Sequence, residues 1–154
     1  MGPLISAGQR DQVASFVNGD APVAIRGEAP SGPGFWFAPT VLCPVSNDDR
    51  AAREEIFGPV AAVIPFRDEA EAIALANDTI YGLSGSIWTS DGAKALRVAR
   101  AVESGVLSIN SNTSVRVSTP FGGFKQSGYG RELGPHATDA YTEVKTVYYA
   151  TEGR

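Results

Sequence analysis

At 154 residues and 16.2 kDa, the chain has the size of one ordinary domain. Apolar residues at 43% and charged residues at 19% exclude a disordered chain, and a net charge of -4 offers no attraction toward nucleic acid or an anionic membrane. The single cysteine, Cys43, cannot form an internal disulfide, and no stretch has the length or pattern of a membrane span or a signal peptide; the expected setting is reducing and cytoplasmic.

In chain order, Met1-Gly2-Pro3-Leu4-Ile5-Ser6 fits the short myristoylation pattern, which is too undemanding to carry weight. Residues 9–17 read as helical, and residues 22–27 and 37–45 as extended. Asn47 or Asp48 is expected to cap a helix running through Ala51, Ala52 and Arg53 to Ile56, and Pro59 ends it. Residues 60–66 form a nearly continuous apolar run, the pattern of a strand buried on both faces.

Asp68 then caps a helix that places Ala70, Ile73, Ala74 and Asn77 on one face. A second apolar run, residues 85–88, follows Tyr81-Gly82-Leu83. Ser90 or Asp91 caps a further helix with Ala95, Val98, Ala99 and Val102 on one face; Gly105 ends it, and residues 106–110 are a third strand. This β-α-β-α-β order predicts an α/β fold with a parallel sheet.

Residues 111–130 are polar and glycine-rich without periodicity, a length of loop that is usually functional or disordered. A short helix is expected over residues 131–141. Residues 144–150 are rich in β-branched and aromatic side chains and read as a strand with no hairpin partner beside it. No linker divides the chain into two cores.

Few residues offer chemistry. Cys43 lies in the apolar segment Thr40-Val41-Leu42-Cys43-Pro44-Val45, with no neighbouring His, Lys or Arg to lower its pKa, and reads as a small core hydrophobe. His136 has no Cys or carboxylate at ligand spacing, so no metal site is predicted. Gly128-Tyr129-Gly130-Arg131-Glu132-Leu133-Gly134 has the wrong glycine spacing for a dinucleotide turn and is not entered from a strand. By local physics Arg131 and Glu132 read as a solvated helix start. Glu54-Glu55-Ile56-Phe57-Gly58-Pro59 reads as a helix end, with Gly58 in a left-handed cap conformation. Two adjacent carboxylates near the negative end of a helix dipole conflict with that reading, a conflict of the kind found at functional sites.

Six blocks, taken in order, resemble the C-terminal signatures of the aldehyde dehydrogenase superfamily: Gly2-Pro3-Leu4-Ile5-Ser6, Phe37-Ala38-Pro39-Thr40-Val41-Leu42, residues 54–60, residues 77–83, Pro120-Phe121-Gly122-Gly123-Phe124-Lys125-Gln126-Ser127-Gly128-Tyr129-Gly130-Arg131-Glu132, and residues 140–147. The resemblance implies that residues 1–139 are the C-terminal part of that family's catalytic domain. Residues 140–154 would be an oligomerisation strand and tail, with the strand pairing with another subunit. It implies that Glu55 hydrogen-bonds the ribose hydroxyls beside a nicotinamide and that Phe57 packs near its ring. Leu83 would make a further apolar contact there, and Phe121 would line the aldehyde entry tunnel. Residues 111–119 would form the substrate-dependent loop, and Glu132 would be a supporting carboxylate in proton relay.

In enzymes of that family a cysteine thiolate attacks the aldehyde, hydride passes to NAD or NADP, and a glutamate-activated water cleaves the thioester. The nucleophile, general base and dinucleotide-binding domain belong to segments preceding the one that resembles Gly2-Pro3-Leu4-Ile5-Ser6. The chain by itself is therefore expected to be inactive and to bind no dinucleotide. An alternative from a different class is an assembly or binding module, half of a split enzyme that needs a partner chain.

Overall fold

The structure, a computed structural model, describes residues 1–113 and 115–151. The chain forms two compact units, residues 1–75 and 76–154. The division falls inside a helix, Glu69–Asn77, not at a Pro- or Gly-rich linker, so composition gives no sign of it.

In the first unit, α1 (Ala7–Ala14) starts where Ser6, in extended conformation, accepts a hydrogen bond from the Gln9 N–H at 3.1 Å. It buries Val13 completely against Phe16 and Ile56. Strand β1 (Val23–Arg26) pairs antiparallel with β2 (Thr40–Leu42), with an irregular register between Val23 and Ile25. Strand β2 in turn pairs parallel with β3 (Val60–Ala62). Being central, β2 is the strand that buries Thr40 and Leu42, whereas all four residues of β1 are exposed. Leu42 packs with Val17 and Val45, and Phe37, Ala51 and Val60 touch both clusters.

The helix expected over residues 47–56 is a single turn, α2 (Arg50–Arg53). Its N-cap position is held by Asp49, not by Asn47 or Asp48, and the chain is already extended at Glu54 (φ -112°, ψ 148°). The Asp49 carboxylate bonds backward to the Ser46 N–H at 2.8 Å, which fixes the turn one residue later than composition suggests. Helix α3 (Glu69–Asn77) is capped as expected, Asp68 accepting from the Glu71 N–H at 2.9 Å. Arg67 holds the Glu71 carboxylate at 3.0 Å, and hydrogen bonds from the Arg67 side chain and backbone draw the Glu71 pKa below its ordinary value.

In the second unit, β4 (Ser84–Ile87) and β5 (Val106–Ile109) pair parallel around α4 (Gly92–Ala101). Asp91 caps α4 by accepting from the Lys94 N–H at 2.9 Å. The expected inner face is found: Ala95 is buried and Val98, Ala99 and Val102 are half-buried. The parallel sheet is nonetheless in two pieces, because β3 bonds to β2 while β4, among the described residues, bonds only to β5. Apolar runs identify strands but do not reveal their hydrogen-bonding neighbours.

One further expectation changes. Residues 131–141 hold only a 3-10 turn, Ala137–Tyr141, because Glu132 is committed to a bridge with Phe121. Residues 142–151 join no strand of this chain, and Val144, Val147, Tyr148 and Tyr149 are exposed. Ser114 of the expected substrate loop and residues 152–154 of the tail lie outside the described residues.

Candidate functional site

The segment following α2 separates the two adjacent glutamates by role. Glu54 is one helical turn from Arg50 and accepts from its Nε at 3.0 Å, the i,i+4 arrangement of a helix surface. That bond, and a helix only one turn long, resolve the dipole conflict read from the sequence. Glu55 is exposed, and among the described residues its carboxylate has no partner. Two carboxylate oxygens facing solvent can accept from two hydroxyl groups at once.

Phe57 has φ 50°, a conformation rare for a bulky side chain, and its ring is 72% exposed. The left-handed residue of this turn is therefore Phe57 and not Gly58, which was expected to fill that position. Glycine is required at 58 for a different reason: a Cβ there would collide with both methyl groups of Val13. From the same helix the Gln9 amide donates to the Phe57 carbonyl at 2.8 Å and reaches the Ile56 carbonyl at 3.5 Å. Ile56 is buried against Val13 and Phe16. Strain at an exposed aromatic is thus held in place by a buried neighbour, a hydrogen bond and a close contact, the pattern of over-determined backbone strain seen at ligand sites.

In the second unit, Leu83, Phe121 and Glu132 are arranged by backbone contacts. The Gly82 carbonyl accepts from the Gly105 N–H at 2.9 Å and from the Phe124 N–H at 2.8 Å. The Gly82 N–H donates to the Ser127 hydroxyl at 3.0 Å. Leu83, 41% exposed, follows directly, and its carbonyl accepts from Val106 at 3.1 Å. A Cβ on Gly105 would overlap the Gly122 carbonyl, and one on Gly123 would meet Ser127 at 2.6 Å. Glycines here permit four backbone segments to touch.

Lys125 fastens the same junction. Its ammonium donates to the carbonyls of Asn77 at 2.6 Å and Thr79 at 3.2 Å, and pairs with Glu103 at 2.8 Å. Asn77 closes the end of α4, donating to the Ala101 carbonyl and accepting from the Glu103 N–H. Phe121 and Glu132 exchange both backbone hydrogen bonds, at 2.7 and 2.8 Å. Glu132 is consequently extended, correcting its reading as a helix start. Its carboxylate is exposed and, among the described residues, unpartnered. Arg131 instead donates to the carbonyls of Gly123 and Gly130 and lies 5.5 Å from the Phe124 ring centre.

The structure thus brings Glu55 and Phe57 together in the first unit, and Leu83, Phe121 and Glu132 around one junction in the second. Cys43 is half-buried just after β2, and among the described residues its thiol has no hydrogen-bond partner. Among the described residues no cluster of His, Cys, Asp or Glu could hold a metal, and no helix is long and apolar enough to cross a membrane. Sequence reasoning missed Gln9, Asn77 and Lys125. Gln9 did carry a signal, since it stands three residues after the cap Ser6, but that spacing points to a capping box and not to Phe57.

Residues 1–147 match the aldehyde dehydrogenase family. The chain is 43% identical over 152 residues to an aldehyde dehydrogenase of Emericella nidulans, covering 96% of this chain and 31% of that protein. It is 46% identical to betaine aldehyde dehydrogenase 1 of Rhizobium meliloti, covering 96% of this chain and 32% of that protein. Its fold matches the crystal structure of betaine aldehyde dehydrogenase from Staphylococcus aureus in complex with NAD+, with a TM-score of 0.85 and 40% identity, covering 92% of this chain and 30% of that one. The chain spans about a third of the length of the curated relatives it matches. A family match across nearly all of the chain, joined to a fold shared at 40% identity, leaves one assignment: this chain belongs to the aldehyde dehydrogenase family.

Proposed function

We propose that the chain is the C-terminal part of an NAD(P)-dependent aldehyde dehydrogenase, supplying the nicotinamide-ribose wall and part of the aldehyde wall. The carrying observation is the exposed Glu55, unpartnered among the described residues, two residues before the strained, exposed ring of Phe57. These residues fit the nicotinamide end of a dinucleotide: Glu55 accepts from both ribose hydroxyls, and Phe57 packs against an aromatic ring face. When bound, such a cofactor would supply the acceptor for the aldehyde's hydride.

Leu83 adds an apolar contact, and Phe121, half-buried beside the glycine junction, lines the substrate path. Glu132 supports proton movement from its position opposite Phe121. Each of these residues positions or supports; none attacks a carbonyl. Cys43, half-buried and without a base to deprotonate it, is no nucleophile. The isolated chain is accordingly inactive and lacks the phosphate and adenine contacts that dinucleotide affinity requires. Its cellular setting is cytoplasmic, and residues 144–150 pair with another subunit.

The test uses the 154-residue chain alone and a completed enzyme, in which it replaces the segment it matches in the Rhizobium meliloti relative. The chain alone should show no aldehyde-dependent NAD(P)H formation and no calorimetric NAD+ binding at micromolar concentrations. The completed enzyme should oxidise an aldehyde, with Glu55→Gln raising KM for NAD+. Cys43-dependent turnover by the chain alone would sink the proposal.

A second reading, an assembly module that joins a separate partner chain, draws on apolar exposure. Phe66 is 60% exposed and Trp88 67% exposed, and Val144, Val147, Tyr148 and Tyr149 are exposed as well; side chains of this kind mark interaction surfaces. A clean monomer by sedimentation at high concentration would count against it.

A further inference from the structure

We propose that Gln9 is the positioning residue of the nicotinamide-ribose wall, holding the left-handed turn at Phe57 and so aiming Glu55 and the Phe57 ring at the cofactor. The inference rests on the assignment of those two residues above and adds a residue from another element of the fold.

Ser6 and Gln9 have the spacing of a capping box, in which the Gln9 side chain would return to the Ser6 N–H. Only half of that box is present: Ser6 accepts from the Gln9 N–H at 3.1 Å. The Gln9 amide is directed 48 residues along the sequence, to the Phe57 carbonyl at 2.8 Å, and also meets the Ile56 carbonyl at 3.5 Å. Both are carbonyls at the strained turn. Released from that bond, a phenylalanine at φ 50° relaxes toward the extended region.

Relaxation in one direction is closed. Gly58 lies against Val13, the residue one helical turn after Gln9 on α1, and leaves no room for a Cβ. Helix α1 therefore meets this turn twice, once through a hydrogen bond and once through a buried valine. Val13 fixes where the backbone passes. Gln9 fixes the direction of the Phe57 carbonyl, and with it the dihedral angle on which the placement of the ring and of Glu55 depends.

The experiment replaces Gln9 without disturbing its backbone cap to Ser6. Gln9→Glu keeps size but removes the donor, Gln9→Met keeps length without donor or charge, and Gln9→Lys keeps a donor of similar reach. In the isolated chain, NMR couplings report the Phe57 φ angle. The Glu and Met variants should lose the left-handed value while the melting temperature stays close to wild type, and the Lys variant should keep it. In the completed enzyme, losing one hydrogen bond should raise KM for NAD+ about two- to tenfold in the Glu and Met variants, more than kcat falls. The Lys variant should recover most of that loss.

Phe57 remaining left-handed in both donor-free variants overturns the inference. So does a raised KM in Glu55→Gln without one in Gln9→Glu, which leaves the assignment of Glu55 standing. If neither substitution changes KM, the cofactor assignment itself is wrong and the role of Gln9 falls with it.

Discussion

Gly58→Ala is the sharpest probe of the contact between α1 and the Phe57 turn. The new methyl group would enter the space of both Val13 methyls, and Val13 has no exposed surface into which to move. Overpacking of a core typically costs about 1–3 kcal/mol. Gly58 is not in the left-handed region, so alanine recovers about 0.4–1 kcal/mol by restricting the unfolded chain. The net cost is about 1–2 kcal/mol, a drop of about 2–8 °C in melting temperature for a chain of this size. Val13→Ala alone removes two buried methyl groups and costs about 2–3 kcal/mol. If the steric account holds, the alanine at 58 occupies the space vacated at 13. The double variant should then fall at least about 1 kcal/mol short of the summed losses, measured by urea and thermal unfolding of all four proteins followed by circular dichroism. Losses that add within about 0.5 kcal/mol would show that the two residues do not press on each other.

Two other predictions address the second unit and the helix starts. Gly105→Ala should destabilise residues 76–154 by about 3 kcal/mol or more, because its Cβ would overlap a backbone carbonyl that no rotamer change can move; normal unfolding would contradict the packing at Gly122. The Asp91 carboxyl lies below its ordinary pKa, chiefly through the Lys94 N–H bond, and Glu71 lies low chiefly through Arg67. Depressed folded-state values stabilise the fold above the ordinary carboxylate range, and that contribution is lost as pH falls through them. Wild type should therefore melt higher than Asp91→Ala or Glu71→Gln at pH 7, with the gap closing below about pH 4. A gap that widens on acidification would reverse the sign of the reasoning.

Local signals were legible and long-range ones were not. Asp68 and the Ala95, Val98, Ala99 and Val102 face could be read because a cap and a helical stripe involve neighbours within a turn. The pairing of β3 with β2 depends on hydrogen bonds between segments about 20 residues apart, which no local pattern encodes. At the candidate site, the resemblance to the family pointed to Glu55 and Phe57 but not to what holds them. Gln9 acts across 48 residues, and Asn77 reaches 24 and 26 residues to α4 and its end. The misplacement of the left-handed residue at Gly58 has the same origin. Glycine was read as a residue chosen for its dihedral freedom, when Val13 required it for its lack of a side chain.

The junction of Gly82, Gly105, Gly122 and Gly123 has a consequence for how this chain can change over generations. By composition the glycine-rich stretch after residue 120 reads as the end of a long irregular loop. Positions 105, 122 and 123 are closed to any other residue unless a backbone segment withdraws. The described residues from 112 to 119 are exposed and open to almost any side chain. Novelty in this part of the molecule must therefore be written on one side of the junction, while the other side remains a fixed hinge-pin for it.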